Sequence, residues 1–289
     1  SEVPCCSACT CWRSGTRMVA YFGQGFPACI EAIIELMGSM RIGRGSAPVA
    51  GSVRWLIVAI MAWIAMRFLR NVGPAALGSW PLTFFELMVL TLMPALVGFA
   101  LVRLFLAVIQ SASGSLNTYT LTASPWAVIF WLSVTVAMVG YGAHITATIL
   151  MGQLPDVVRN GEFAAVLEFF DQSLSLLMVG GGFFGATAVI LVAGRGAAPP
   201  VYGPERLLLA LGSLATYGCV IVYVATQGSM YIPAVIASAV LGGFGVWIMG
   251  PYEATQDPVG LLIIPGNLVA AVVLLAWGLI IGGRPVWPW

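Results

Sequence analysis

The sequence contains no lysine and only one histidine, His144, among its 289 residues. A retinal-binding seven-helix protein needs a lysine for its Schiff base, and a phosphate-binding P-loop needs one for its nucleotide, so both classes are excluded. A single histidine also excludes a haem with two histidine ligands, an HExxH zinc site and a three-histidine metal centre. No GxSxG motif is present, which excludes the nucleophile elbow of a serine hydrolase. The chain by itself is therefore poorly equipped for catalysis.

Charged residues make up 8% of the chain, whereas apolar residues make up 60% and the mean hydropathy is +0.98. This balance is typical of proteins whose solvent is lipid. Several apolar windows reach the ~20 residues that a helix needs to cross a bilayer. Because lipid offers the backbone no hydrogen bonds, and the windows show no sustained alternation, they predict helices rather than a barrel. The formal net charge is only +1, so the chain lacks the excess of positive charge that is typical of nucleic-acid-binding proteins.

The apolar windows predict an all-α, polytopic membrane helix bundle with about seven transmembrane helices. The predicted spans are 53–69, 82–109, 125–151, 174–193, 207–226, 231–249 and 259–282. The first has only a short apolar stretch between Arg54 and Arg67, so the count falls to six if this segment lies along the interface. The chain thus divides into an N-terminal segment, 1–52, and a transmembrane bundle, 53–289.

The N-terminal segment differs from the bundle because it holds most of the cysteine. The cysteines nearest the N-terminus are Cys5, Cys6, Cys9 and Cys11. Their thiolates are close enough in sequence to share a metal ion or an iron–sulfur cluster. The spacing matches no standard ligand pattern, so disulfides, acylated thiols and thiols without a role stay open as alternatives. Further on, residues 26–40 carry apolar and acidic side chains on different faces, which predicts an amphipathic helix along the membrane interface.

The distribution of arginine indicates how the chain is oriented in its membrane. If the predicted spans alternate in direction, eight of the 12 arginines lie on the same side as the N-terminus. Since positively charged loops collect on the cytoplasmic or matrix side, we expect the N-terminus there. The predicted location is a bacterial inner membrane or an organellar inner membrane.

His144 lies about two helical turns before the end of the third predicted span. The connection to the fourth span, 152–173, is expected on the same side of the membrane and carries Glu168 and Asp171. These carboxylates are three residues apart, so either one can reach the imidazole. Such a cluster can relay protons or hold one metal ion, and His144 can also ligate a single pigment or haem. The alternative is a polar helix end with a hydrogen-bonded histidine, and the sequence itself indicates no cofactor beyond bound lipid.

Two further polar residues are predicted inside apolar spans. Arg103 lies about three-quarters along the second span, where it either snorkels to the surface or takes part in an ion or proton path. Asn267 follows Pro265 and Gly266 in the seventh span. Because proline removes a backbone hydrogen bond, the helix is predicted to break there. Broken helices line the substrate sites of many transporters.

Three functions fit these features. The first is a non-catalytic subunit of a larger membrane complex of the energy-converting kind (respiratory, photosynthetic or proton-translocating), because tryptophan, methionine and glycine are abundant and pack well against helices, lipids or pigments. The second is a small secondary transporter or channel that uses the broken seventh helix, Asn267 and Arg103. The third is a membrane lipid-modifying enzyme acting through His144 and Asp171. The expected partners are membrane lipids and, for the first function, other membrane subunits.

Overall fold

A computed structural model describes residues 47–69, 88–113, 124–153, 161–226 and 230–281. They contain seven long helices, which we number in chain order. These are α1 (Ala47–Leu69), α2 (Leu92–Ser113), α3 (Pro125–Gln153), α4 (Glu162–Gly194), α5 (Gly203–Ala225), α6 (Tyr231–Met249) and α7 (Pro258–Ile281). A short 3-10 turn, Glu253–Thr255, precedes α7, and the described residues contain no strand.

Each of the seven helices is long and apolar enough to cross a membrane, which confirms the predicted all-α bundle and its seven spans. α1 has 23 residues, or about 35 Å of helix, and so exceeds the ~30 Å hydrocarbon core. It is therefore counted as a span rather than as an interfacial segment. The predicted helix at 26–40 lies outside the described residues, as do Cys5, Cys6, Cys9 and Cys11.

The fourth span begins earlier than predicted, and the prediction of a connection reaching residue 173 was wrong. α4 starts at Glu162, directly after Gly161, and includes Glu168 and Asp171. With 33 residues it is about 50 Å long, well over the thickness of the hydrocarbon core. Its charged first turns can therefore lie beyond the hydrocarbon and still be helical.

Three helices depart locally from regular α geometry. α4 contains a π-helical turn at Phe170–Leu174, and α5 contains another at Leu214–Gly218. Insertions of this kind often accompany functional sites. A turn at Thr91 separates residues 88–90 from α2, three residues before Pro94. This interruption agrees with the kink that a proline imposes, because its ring displaces the carbonyl of the preceding turn.

α7 lies at the centre of the bundle and α3 at its edge. α7 contacts α1, α4, α5 and α6. In an 18-residue apolar window of α7, 61% of the residues are buried inside the bundle, compared with 17% for α3. α3 packs mainly on α4 and reaches α2 through stacked Phe105 and Phe130 rings, whose centroids are 3.9 Å apart. The α3–α4 hairpin therefore has a large outer face that the described helices do not cover.

Glycines set the distance between α3 and α4. A Cβ atom added to Gly182 would lie 2.4 Å from the backbone oxygen of Ser133. One added to Gly140 would lie 2.5 Å from Cβ of Met178. Because Cβ atoms do not approach other atoms so closely, the two helices reach this separation only with glycine at both positions.

Candidate functional site

His144 of α3 and Asp171 of α4 are paired across the helical hairpin. Nδ1 of the imidazole lies 2.9 Å from Oδ1 of Asp171 and 3.2 Å from the backbone oxygen of the same residue. Oδ1 also accepts a hydrogen bond of 2.8 Å from the hydroxyl of Thr148. Because an ionised carboxylate only accepts hydrogen bonds, Nδ1 carries the proton in this contact. Nε2 is then the ring nitrogen that can exchange a proton or ligate a metal.

Helical spacing and the π turn of α4 place these groups together. His144 and Thr148 are four residues apart and lie on the same face of α3. Asp171 lies in the π turn Phe170–Leu174, which contacts α3. Its backbone oxygen accepts a hydrogen bond of 2.6 Å from the hydroxyl of Ser175. Short hydrogen bonds therefore hold both Oδ1 and the backbone oxygen of Asp171 in place.

The position of His144 along α3 places the pair near one boundary of the hydrocarbon if the membrane span begins at Pro125. His144 is 19 positions after Pro125, the first residue of α3, which corresponds to about 29 Å of helix. A helix that enters a ~30 Å hydrocarbon core at Pro125 therefore leaves it close to His144. The side chains of His144 and Asp171 are 22% and 21% exposed. An ionisable pair at this depth costs much less than one at the bilayer centre.

Of the predicted carboxylate partners, Asp171 contacts the imidazole and Glu168 does not. Glu168 lies one turn earlier in α4 and is exposed. Within the part of the chain that the structure describes, no group of three or more histidine, cysteine or acidic residues could hold a metal ion. It stays a prediction that the pair transfers protons, binds a metal ion or ligates a pigment or haem.

Arg103 packs on an aromatic ring of the neighbouring helix. Its guanidinium carbon lies 6.0 Å from the centre of the Trp55 ring in α1. This is a cation–π contact, which stabilises the charge of the guanidinium. α2 continues ten residues beyond Arg103 to Ser113. An ion or proton path through Arg103 stays a prediction.

The predicted break in the seventh span was wrong, because α7 is helical from Pro258 to Ile281 with Pro265 in its interior. The neighbouring helix satisfies a backbone group next to the proline. The backbone N–H of Gly266 donates a 2.8 Å hydrogen bond to the hydroxyl of Ser213 in α5. A Cβ atom on Gly266 would lie 2.3 Å from the backbone oxygen of Ser213, so glycine allows α5 to come close enough for this bond.

Asn267 lies inside the bundle rather than beside an opening. It is fully buried, and its Nδ2 donates a 2.7 Å hydrogen bond to the backbone oxygen of Ile263, one turn earlier. Its Oδ1 meets no donor among the described residues. A transport role for this residue stays a prediction.

Asp257 is a buried acidic residue whose role the sequence analysis did not identify. Oδ1 of Asp257 accepts hydrogen bonds from the backbone N–H groups of Val259 and Gly260, at 2.8 and 3.0 Å. It therefore caps the N-terminus of α7. The signal was present in the sequence, because an aspartate directly before a proline is typical of a helix start. Burial raises the pKa of this carboxyl above its usual value of 3.8, and the nearby charge of Glu253 acts in the same direction.

The raised pKa predicts how stability depends on pH. The folded protein binds a proton on Asp257 more tightly than the unfolded chain does, so this stabilisation is complete at low pH and is lost as the pH rises through the folded pKa. Asp257→Asn keeps the accepting oxygen and does not titrate. We expect its thermal midpoint, relative to the native protein, to increase as the pH is raised from about 4 to about 7. A relative midpoint that instead falls over this range would contradict the assignment.

A second substitution separates the hydrogen bonds of Asp257 from its charge. Asp257→Ala removes the accepting oxygen at every pH and should lower the free energy of unfolding by about 1 kcal/mol. Thermal unfolding in detergent at several pH values measures both variants. A loss of equal size for Asp257→Asn and Asp257→Ala at neutral pH would show that the carboxylate charge itself is needed.

No protein-family model, no curated protein and no solved structure matches the chain. The fold alone therefore defines its class. Seven apolar helices make it a multi-pass integral membrane protein whose large exposed apolar side chains contact membrane lipid. The identity of the membrane and the orientation of the N-terminus stay predictions.

Proposed function

We propose that this protein is a non-catalytic, helix-packing subunit of a larger membrane complex. The observation that carries the proposal is the outer face of α3, the least buried of the seven spans. Thr135, Gly142 and Thr146 are all exposed on this helix, at spacings that place them on one face. Among the described residues, no atom lies within 4 Å of the place where a Cβ of Gly142 would be.

This face suits a helix better than it suits lipid. The hydroxyl of Thr135 donates to the backbone oxygen of Trp131 at 2.8 Å, and that of Thr146 donates to the backbone oxygen of Gly142 at 2.9 Å. Both hydroxyls are thus satisfied within α3, and the same face also presents the exposed apolar side chains of Leu132 and Val139. Faces of this kind let a second helix approach closely and gain van der Waals contact along its length. We therefore assign this face to a transmembrane helix of another subunit.

The competing functions have less support. α7 is continuous and Asn267 is fully buried, so the feature that motivated a transporter is absent from the described helix. The lipid-modifying enzyme rests on the His144–Asp171 pair alone and stays a prediction. The proposal concerns a subunit of some larger membrane complex. That this complex converts energy stays a prediction from the sequence.

The experiment that tests the proposal compares two glycine substitutions. Gly142→Leu fills the open face of α3, whereas Gly243→Leu adds the same side chain at a position of α6 that also has open space among the described residues. Native mass measurement of the complex in mild detergent should show the native chain and Gly243→Leu bound to other polypeptides. We expect Gly142→Leu to travel alone, with an unchanged thermal midpoint.

A photo-crosslinker identifies what covers the face in the membrane. Placed at Thr146, it should join the chain to another membrane-embedded polypeptide. Placed at Val272 of α7, which is 65% exposed, it should join the chain only to lipid. The proposal fails if the native chain travels alone near 30.5 kDa apart from lipid and detergent. It also fails if the Thr146 product contains only lipid or only a second copy of this chain.

A further inference from the structure

A cleft of about 400 Å³ opens at the end of the bundle where α1, α5 and α7 begin. The first turn of α1 lines it through Ala50 and Gly51, and the segment 198–202 lines it from the other side. Arg54 of α1 and Glu205 of α5 contribute the two charged side chains. The cleft is thus built from parts of the chain that are about 150 residues apart.

The two charges in the cleft face each other and are accessible. Nη2 of Arg54 and Oε1 of Glu205 form an ion pair. The side chain of Arg54 is 54% exposed and that of Glu205 is 35% exposed. Ion pairs with this much access to solvent contribute little net stability, so each partner can exchange the other for a ligand at small cost. Tyr202 is 65% exposed beside them and adds an aromatic surface to the lining.

The position of the cleft points to the head group region of the membrane. Arg54 is the eighth residue of α1, about 10 Å from the start of the helix, and Glu205 lies in the first turn of α5. Val58 and Leu208 are one turn deeper on the same faces of α1 and α5. Both are exposed apolar side chains, at 56% and 60%. A molecule with a charged head in the cleft can therefore extend apolar chains along these two helices.

We propose that the cleft binds the head group of a zwitterionic phospholipid that carries a primary ammonium group. The phosphate lies on the guanidinium of Arg54, whose planar N–H groups match two phosphate oxygens. The ammonium lies on the carboxylate of Glu205. Because the cleft holds one charge of each sign, a head group with both charges satisfies both side chains, whereas an anionic head group leaves Glu205 facing a like charge.

The test measures which lipid the purified chain retains. The protein in mild detergent is mixed with vesicles containing equal amounts of phosphatidylethanolamine, phosphatidylcholine and phosphatidylglycerol, and the bound lipid is identified by native mass spectrometry. The native chain should retain phosphatidylethanolamine in preference to the other two. Arg54→Gln should reduce retention about tenfold, as expected for the loss of a charge-assisted contact with phosphate.

Substitution of the carboxylate tests the second half of the proposal. Glu205→Gln keeps the guanidinium, so it should still retain a phospholipid but lose the preference for phosphatidylethanolamine over phosphatidylglycerol. Arg195→Gln is the matched control, because Arg195 also faces a carboxylate, Glu253, at 3.8 Å and lies outside the cleft lining. It should behave as the native chain does. Thermal midpoints close to the native value would show that each variant is folded.

Three results would overturn the proposal. The first is equal retention of phosphatidylethanolamine by the native chain and by a folded Arg54→Gln variant. The second is a native chain that retains the three lipids in their mixing ratio. The third is displacement of the lipid from the native chain by millimolar inorganic phosphate, which would assign the cleft to free phosphate rather than to a head group.

Discussion

Gly182→Leu should separate α3 from α4 and lower the free energy of unfolding by about 3 kcal/mol, at the upper end of the cost of overpacking a close contact. The expected fall in thermal midpoint is roughly 10 °C for a chain of this size. The reason is that a Cβ at this position would lie 2.4 Å from the backbone oxygen of Ser133 and 2.5 Å from the backbone nitrogen of Ala137. Backbone atoms cannot move aside as the end of a side chain can, so the helices themselves must shift apart.

The adjacent glycine provides the control for this experiment. Gly181 is exposed on the same helix, and among the described residues no atom lies within 4 Å of its Cβ position. Gly181→Leu should leave the thermal midpoint in detergent within about 2 °C of the native value, since surface substitutions change stability by less than ~0.5 kcal/mol. Equal losses for both variants would mean that glycine acts through helix flexibility rather than through close approach of the two helices.

Asp171→Ala should lower the free energy of unfolding by about 2 kcal/mol, because it removes the acceptor of two side-chain hydrogen bonds at once. The imidazole of His144 and the hydroxyl of Thr148 both direct their hydrogen to Oδ1 of Asp171. The hydroxyl of Thr148 then loses this acceptor, whereas the imidazole keeps only its longer contact of 3.2 Å with the backbone oxygen of residue 171. Thermal or denaturant unfolding in detergent measures the loss.

Two matched variants separate the contributions of Asp171. Asp171→Asn keeps an accepting oxygen and removes the charge, so it should lose less than Asp171→Ala. Glu168→Ala removes a carboxylate one turn earlier that is exposed, and it should change the free energy of unfolding by less than ~0.5 kcal/mol. The pairing would be contradicted if Glu168→Ala cost as much as Asp171→Ala.

Hydropathy predicts the ends of a helix correctly only when those ends coincide with the limits of its apolar run. The sixth span was predicted as 231–249 and is found as Tyr231–Met249. The fourth was predicted to begin twelve residues too late, because its first turns carry charges and hydropathy records only the part of a helix that lies in hydrocarbon. A helix beyond that boundary satisfies its own backbone in water as well as in lipid, so its charge content does not reveal where it starts.

The candidate site was predicted in part. His144 and the two carboxylates could be placed on one side of the membrane, because consecutive spans run in opposite directions. The choice between Glu168 and Asp171 depended on the π turn at Phe170–Leu174, which has no clear sequence signature. Similarly, Pro265 indicated a break in the seventh span. The structure shows that α7 is continuous there, with the backbone N–H of Gly266 bonded to the hydroxyl of Ser213, 53 residues away in sequence.

Hydrocarbon as a solvent allows very few backbone structures, so the apolar runs alone were sufficient to specify six or seven helices, their approximate positions and the membrane class of this protein. The pairing of Arg54 with Glu205, the close approach at Gly182 and the burial of Asn267 required the folded bundle. Each of these depends on which helices become neighbours and how they are rotated about their axes. Those two properties arise from side-chain packing between segments that are far apart in the chain. The hydropathy of a single segment contains no information about that packing.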